Sequence, residues 1–174
     1  MGKNIFFTGN PGIGKTTVIK RIVTKIRFAG GFYTEEIREG SVRKGFKIIN
    51  LEGKEGILAS KEIASRYRVG KYGVNISDLE QIGVKSILDA LKNNEKRLIV
   101  IDEIGKMELF SVRFQDAVIK ALESKKKVLG TIPVKTIPFI ERIKVKTPVD
   151  IILVTIQNRD SLPDEILSRI LSQS

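Results

Sequence analysis

The run Gly9-Asn10-Pro11-Gly12-Ile13-Gly14-Lys15-Thr16 constrains the fold of this chain more than any other feature. It fits G-x-x-x-x-G-K-[ST], a loop whose successive backbone N–H groups wrap phosphate. Such a loop works only between a strand and a helix, because its N–H groups must converge at the positive end of a helix dipole. The flanks comply. Asn4 to Thr8, with Ile5-Phe6-Phe7, predicts a short buried strand, and Lys15 to about Phe28 predicts a helix ended by Gly30-Gly31. Gly9 and Gly14 let phosphate approach the backbone, Pro11 stiffens the loop and Gly12 permits unusual dihedrals. Asn10, Ile13 and Thr17 complete the expected cradle. Lys15 is placed to reach the β- and γ-phosphates, and the Thr16 hydroxyl to ligate Mg²⁺.

The remaining chemistry is narrowed by what the chain lacks. It has 174 residues, the size of a single domain (1–174), and contains neither cysteine nor histidine. Disulfides, thiolate zinc sites and histidine-based triads are excluded, so a general base must be Asp, Glu, Lys or Tyr. No apolar run approaches the roughly 20 residues of a membrane span. Met1-Gly2-Lys3-Asn4 leads directly into the first strand and leaves no room for a signal peptide, so a cytoplasmic monomer is expected. The 31 Lys and Arg against 20 Asp and Glu give a net charge of +11, which attracts nucleic acid and free nucleotides alike. The basic residues are dispersed and no aromatic signature interleaves with them, so a nucleic-acid partner rests on charge alone. Abundant Lys, Glu and Ile lean towards a thermophile.

Further along, strand and helix signals alternate. Gly31 to Arg38 and Lys44 to Ile49 read as a β-hairpin around Glu39-Gly40-Ser41, an insertion spanning about 31–60 that closes at Glu52-Gly53. Ser77 to Asn93 is helical with Ser77 as its cap, and Arg97 to Ile101 is a continuous apolar strand. A helix over Phe114–Lys125, a strand over Lys127–Ile132 stopped by Pro133, a strand over Asp150–Ile156 and a helix over Leu162–Leu171 capped by Ser161 complete the pattern. The fold class is α/β: three layers around a mainly parallel, doubly wound sheet with right-handed crossovers and an antiparallel hairpin extension.

The strand Leu98-Ile99-Val100-Ile101 ends in Asp102-Glu103, an arrangement like a Walker B element. Asp102 sits where α/β sheets bind ligands and is expected to hold Mg²⁺ with Thr16. Glu103 is the candidate base that orients and deprotonates the attacking water, with Lys15 as its catalytic companion. Ile104, Gly105 and Lys106 follow and are counted with the nucleotide-binding residues. Asp102-Glu103-Ile104-Gly105 also fits the D-x-x-G of GTPase switches, and Asn158-Arg159-Asp160 sits where a guanine-reading N-K-x-D would stand. The lysine is replaced there and the spacing is short, so weak base selectivity is expected.

The loop, Gly31-Phe32-Tyr33-Thr34-Glu35-Glu36-Ile37-Arg38, Arg68-Val69-Gly70, the run from Asp102 to Phe110 (D-E-I-G-K-M-E-L-F) and Gly130-Thr131-Ile132-Pro133 occur in that order. Together they resemble the nucleoside-triphosphatase family found in archaea, thermophilic bacteria and animals, over almost the whole chain. The resemblance implies a RecA/AAA-like P-loop sheet in which the Val128–Ile132 strand lies between the loop strand and the Asp102 strand. It also implies slow, Mg²⁺-dependent hydrolysis of ATP, GTP, CTP and UTP to diphosphate and phosphate.

Other residues are weighed beside these. Lys106 could contact the γ-phosphate, Glu108 could pair with Lys106 or Arg113, and Thr131 could sense the γ-phosphate. Glu35 and Glu36 alternate along a strand, so one of them faces the site. Arg38, Arg66 and Arg68 are candidates for transition-state charge stabilisation, whereas Phe32, Tyr33 and Phe46 read as hairpin core. Two alternative functions stay open: a nucleotide or small-molecule kinase using Arg66–Lys71 as a lid, and an RNA-linked regulatory NTPase.

Overall fold

The computed structural model describes residues 4–172, so the expected absence of a leader before Asn4 lies outside the described residues. The strands are β1 (Asn4–Thr8), β2 (Ala29–Glu39), β3 (Val42–Asn50), β4 (Glu55–Ser60), β5 (Arg68–Val69), β6 (Tyr72–Val74), β7 (Leu98–Ile101), β8 (Lys127–Thr131) and β9 (Val149–Leu153). The helices are α1 (Lys15–Val23), α2 (Ile76–Asp78), α3 (Lys85–Lys92), α4 (Val112–Glu123), α5 (Pro138–Lys146) and α6 (Leu162–Ser172). A wider π turn, Leu79–Val84, joins α2 to α3, and a 3₁₀ turn, Glu108–Phe110, precedes α4.

All the strands form one sheet in the order β5-β6-β4-β3-β2-β7-β8-β1-β9. β7, β8, β1 and β9 run parallel, and β8 lies between β1 and β7 as the resemblance implied. Side chains alternate across a strand, so β1 feeds two cores. Ile5 and Phe7 join Val18, Ile19 and Ile22 of α1 and Ile166 and Ile170 of α6. Phe6 joins Phe32, Ile99, Ile101 and the α4 residues Phe114, Ala117 and Val118 on the other face. Helices therefore cover both faces of the sheet's parallel part, giving the expected three layers.

The sequence-based boundaries need five corrections. First, α1 stops at Val23, and Phe28 lies beyond it, half-buried against the same core as α1, with its carbonyl accepting from the Arg97 and Leu98 N–H groups and its ring under the Arg97 guanidinium. Second, Gly30-Gly31 ends no helix; both glycines lie in β2, which starts parallel to β7 and continues antiparallel to β3. Gly31 has φ 111°, and a Cβ there would fall 2.0 Å from the Val100 carbonyl oxygen, so only glycine lets β2 lie against β7. Third, the cap of α2 is Asn75, whose Oδ1 accepts from the Asp78 N–H at 3.1 Å, while Ser77 accepts from Gln81 instead. Fourth, α4 begins at Val112 on a Ser111 cap, and β9 ends at Leu153 rather than Ile156. Fifth, the Ser161 hydroxyl donates back to the Asn158 carbonyl at 3.2 Å. The β5–β6 hairpin and α5 were not foreseen. Pro138 at the start of α5 and the buried Phe139, Ile140 and Ile143 are the signal that could have found that helix.

Candidate active site

The glycine loop leaves β1 at its carboxyl end and enters α1, as the motif requires. Gly12 and Gly14 hold φ of 78° and 113°, in the left-handed region that favours glycine. Lys15 folds over the loop, its Nζ donating to the carbonyls of Gly9 at 2.7 Å and Asn10 at 3.3 Å.

β7 delivers Asp102 to the same place. Its carboxylate accepts from Thr16 Oγ1 at 2.7 Å and from Thr131 Oγ1 at 2.5 Å, and the residue is 2% exposed. Burial pushes the Asp102 carboxyl up, while the Thr131 and Thr16 hydroxyls and the nearby Lys15 pull it down. The Thr131 hydroxyl is thus bound to the carboxylate, a holding position that sequence reasoning did not anticipate. Among the described residues, no group of three or more His, Cys, Asp or Glu is placed to hold a metal ion by itself. A divalent ion held through Thr16 and Asp102 would take its other ligands from substrate phosphate and water, which would suit a hard cation that keeps part of its hydration shell.

Glu103 lies one residue on. Burial, then the Asp102 charge, pushes its carboxyl up to about 7, with Lys15 pulling the other way. Glu108 is also buried and accepts from the Gly105 N–H at 3.2 Å. Burial, and then Glu103, drives it well above the usual carboxylate range. It pairs with neither Lys106, which is exposed, nor Arg113, which bonds Glu80 at 3.2 Å. Gly105 is enclosed by the two acids: a Cβ there would lie 2.5 Å from Glu103 Oε1 and 3.1 Å from Glu108 Oε2.

A cleft of about 520 Å³ joins these parts. Gly9, Pro11, Gly12, Gly14, Lys15, Thr16 and Thr17 line one wall, Asp102 and Glu103 the floor, and Thr34, Glu35, Glu36, Arg43 and Phe46 the far wall. Several expected residues lie elsewhere. Ile104 is a buried core residue whose N–H bonds Thr131, and neither it, Gly105 nor Lys106 lines the cleft. Asn10 and Ile13 contribute to the loop without lining it, and Ile13 packs on the α1 core. Both Glu35 and Glu36 reach the cleft, not one alone: Glu35 pairs with Lys20 and Lys47, Glu36 with Arg38 and Arg43. The arginine in the wall is Arg43, held by Tyr72 Oη at 3.0 Å and Glu36 at 3.1 Å. Arg38 is tied to Glu36, Arg66 lies over the Tyr67 ring, and Arg68 is bound to the carbonyls of Ile63 and Lys71. None of those three lines the cleft, and the segment read as a lid is stitched into the β5–β6 hairpin. Phe32 is core, as read, and Phe46 packs half-buried against that core while also bordering the cleft.

A sequence model of the NTPase family matches residues 4–167. The chain belongs to this NTPase family. Nucleoside-triphosphatase THEP1 of Thermotoga maritima is 54% identical to it, over 94% of this chain and 93% of that protein. The cancer-related nucleoside-triphosphatase homolog of Bos taurus is 37% identical over 99% of this chain and 98% of its own. The crystal structure of THEP1 from the hyperthermophile Aquifex aeolicus superposes with a TM-score of 0.86 at 39% identity, covering 96% of this chain and 98% of that one. The family's fold is therefore this fold: a large sheet with a parallel core and antiparallel strands on one side.

Proposed function

We propose that the chain is a Mg²⁺-dependent nucleoside-triphosphatase that hydrolyses ATP, GTP, CTP and UTP to diphosphate and phosphate, slowly and with little regard for the base. The observation that carries this reading is the meeting of Thr16, Asp102 and Glu103 at one end of a phosphate loop. Mg²⁺, held through Thr16 and Asp102, would neutralise charge on the terminal phosphates. Lys15 exchanges its loop carbonyls for β- and γ-phosphate oxygens, and the loop N–H groups take the remaining charge. Glu103 takes a proton from the attacking water; a carboxyl near 7 is matched to that task at neutral pH. Thr131 and Thr16 keep the Asp102 carboxylate aimed at the loop. One family model spanning residues 4–167 supports a single domain, and the reading places it as a monomer in the cytoplasm. Among the described residues no helix is long and apolar enough to cross a membrane.

Phosphate release from each of the four triphosphates, with and without Mg²⁺, tests the reading, with Glu103→Gln as the control. Turnover on all four that needs Mg²⁺ and disappears in the variant, while nucleotide still binds, is the expected outcome. Full activity in the variant sinks the role of Glu103.

A further inference from the structure

The sheet order decides which end of a bound triphosphate points where. β1, which carries the loop, has β8 on one side and β9 on the other. Beyond β8 lies β7 with Asp102 and Glu103, so the terminal phosphate and the hydrolytic water belong on that side. The nucleoside must then leave the loop on the opposite side, where the turn after β9 stands. That turn lies close against the loop. A Cβ on Gly9 would meet the Val154 carbonyl oxygen at 2.9 Å, and one on Gly14 would meet the Arg159 Cδ at 3.8 Å. Arg159 also donates from Nη1 to the Ile13 carbonyl at 3.2 Å. Among the described residues no carboxylate pairs with it: Asp160 lies 4.0 Å from Arg21 instead.

The neighbouring polar groups are already engaged. Asn158, which stands where a guanine-reading asparagine would, donates from Nδ2 to the Leu153 carbonyl at 2.8 Å and accepts the Thr155 N–H at Oδ1, also at 2.8 Å. Both ends of its amide brace its own turn. The turn is therefore braced and offers, beside the cleft rather than in its lining, a planar, half-buried cation but little to read a base edge.

We propose that Arg159 is the nucleobase shelf of this site, its guanidinium plane stacking on whichever base the triphosphate carries. Every base has a π face, so such a shelf binds all four alike. This rests on the reading of the chain as a triphosphatase, and it supplies a physical cause for indifference to the base.

Arg159→Ala and Arg159→Lys are compared with the wild type by steady-state phosphate release on the four triphosphates, and by competition with inorganic tripolyphosphate, which has phosphates and no base. The expected result for Arg159→Ala is a KM raised roughly fivefold to tenfold on all four, as loss of about 1 kcal/mol or more of stacking gives. Its kcat and its inhibition by tripolyphosphate should stay within twofold. Arg159→Lys keeps the charge and can still donate to Ile13, but it lacks the plane and should resemble the alanine variant. A matching loss of tripolyphosphate inhibition would show that Arg159 merely props the loop. A KM change confined to one base would mean edge reading, and a lysine variant like the wild type would mean charge alone; each overturns the proposal, as does no change in any variant. If the wild type itself releases phosphate from none of the four, the underlying reading fails before any variant is compared.

Discussion

Glu103→Gln should remove the activity and, as pH rises from about 4.5 through 7, make the protein progressively more stable than the wild type. The folded state holds the Glu103 carboxyl at about 7, against an ordinary value of 4.5, chiefly because it is buried and next because Asp102 stands beside it. A raised carboxyl binds its proton more tightly in the folded than in the unfolded chain. That contribution is fully present below pH 4.5 and is lost as pH rises through 7. Between those two values lies about 3 kcal/mol at 1.36 kcal/mol per pH unit. Glutamine has the shape of the protonated acid and no charge to bury. The difference in stability between variant and wild type should therefore be near zero at pH 4 and grow to about 3 kcal/mol above pH 8. For a chain of this length that corresponds to a gain of roughly 6–12 °C in Tm. Thermal melts of both proteins without nucleotide, at half-unit steps from pH 4 to 9, measure it. Parallel Tm curves, or a variant less stable at pH 8.5, would show that Glu103 is solvated and has no buried carboxylate to relieve.

Thr131→Val removes a hydroxyl from Asp102 without changing side-chain volume much, leaving Asp102 Oδ1 buried without that donor. A lost hydrogen bond to a charged acceptor costs about 2 kcal/mol, so urea denaturation should give a lower midpoint and phosphate release should need more Mg²⁺; an unchanged Mg²⁺ dependence refutes the holding role. Gly105→Ala places a methyl 2.5 Å from Glu103 Oε1, at a position whose backbone tolerates alanine. If Glu103 is the base proposed above, displacing it by about 1 Å should lower kcat on the order of 100-fold, with nucleotide binding measured by fluorescence titration staying within twofold.

How much of this was legible in the chain depends on how far apart the cooperating residues stand. The phosphate loop and Asp102-Glu103 are contiguous strings in which spacing carries both geometry and chemistry, and the fold class followed from their strand flanks. The partner of Asp102 was not legible in the same way. Thr131 is 29 residues away and becomes a ligand-holder only because β8 lies beside β7 in a fixed register. The arginine in the cleft was missed for a related reason. Arg38 and Arg43 sit opposite each other across the β2–β3 turn, and a register shift at Ile37/Arg38 decides how they are placed. Glu108 reads as a partner for Lys106 or Arg113, and only the 3₁₀ turn that tucks it against the Gly105 N–H makes it buried and free of both. The π turn over Leu79–Val84 blurs the helical period on which the Ser77 cap was based.

Parallel register is what holds the chemistry together. Because β8 separates β1 from β7, the loop and the acids are about 10 Å apart in the hydrogen-bonding direction. That gap is bridged from both sides at Asp102, by Thr16 at the start of α1 and by Thr131 at the end of β8. Phe7 pairs with Thr131 and Ile101 with Gly130, so the carboxyl ends of the three strands finish level. A slip of β8 by one residue would present Gly130 or Ile132 in place of the Thr131 hydroxyl and turn every β8 side chain to the other core. Gly130 guards against that slip: a Cβ there would lie 2.8 Å from the Ile101 carbonyl oxygen and 3.1 Å from the Phe6 ring. Neither neighbouring β8 residue, Leu129 or Thr131, fits that space. The same close packing that fixes the core therefore fixes the distance between the phosphate loop and its acids.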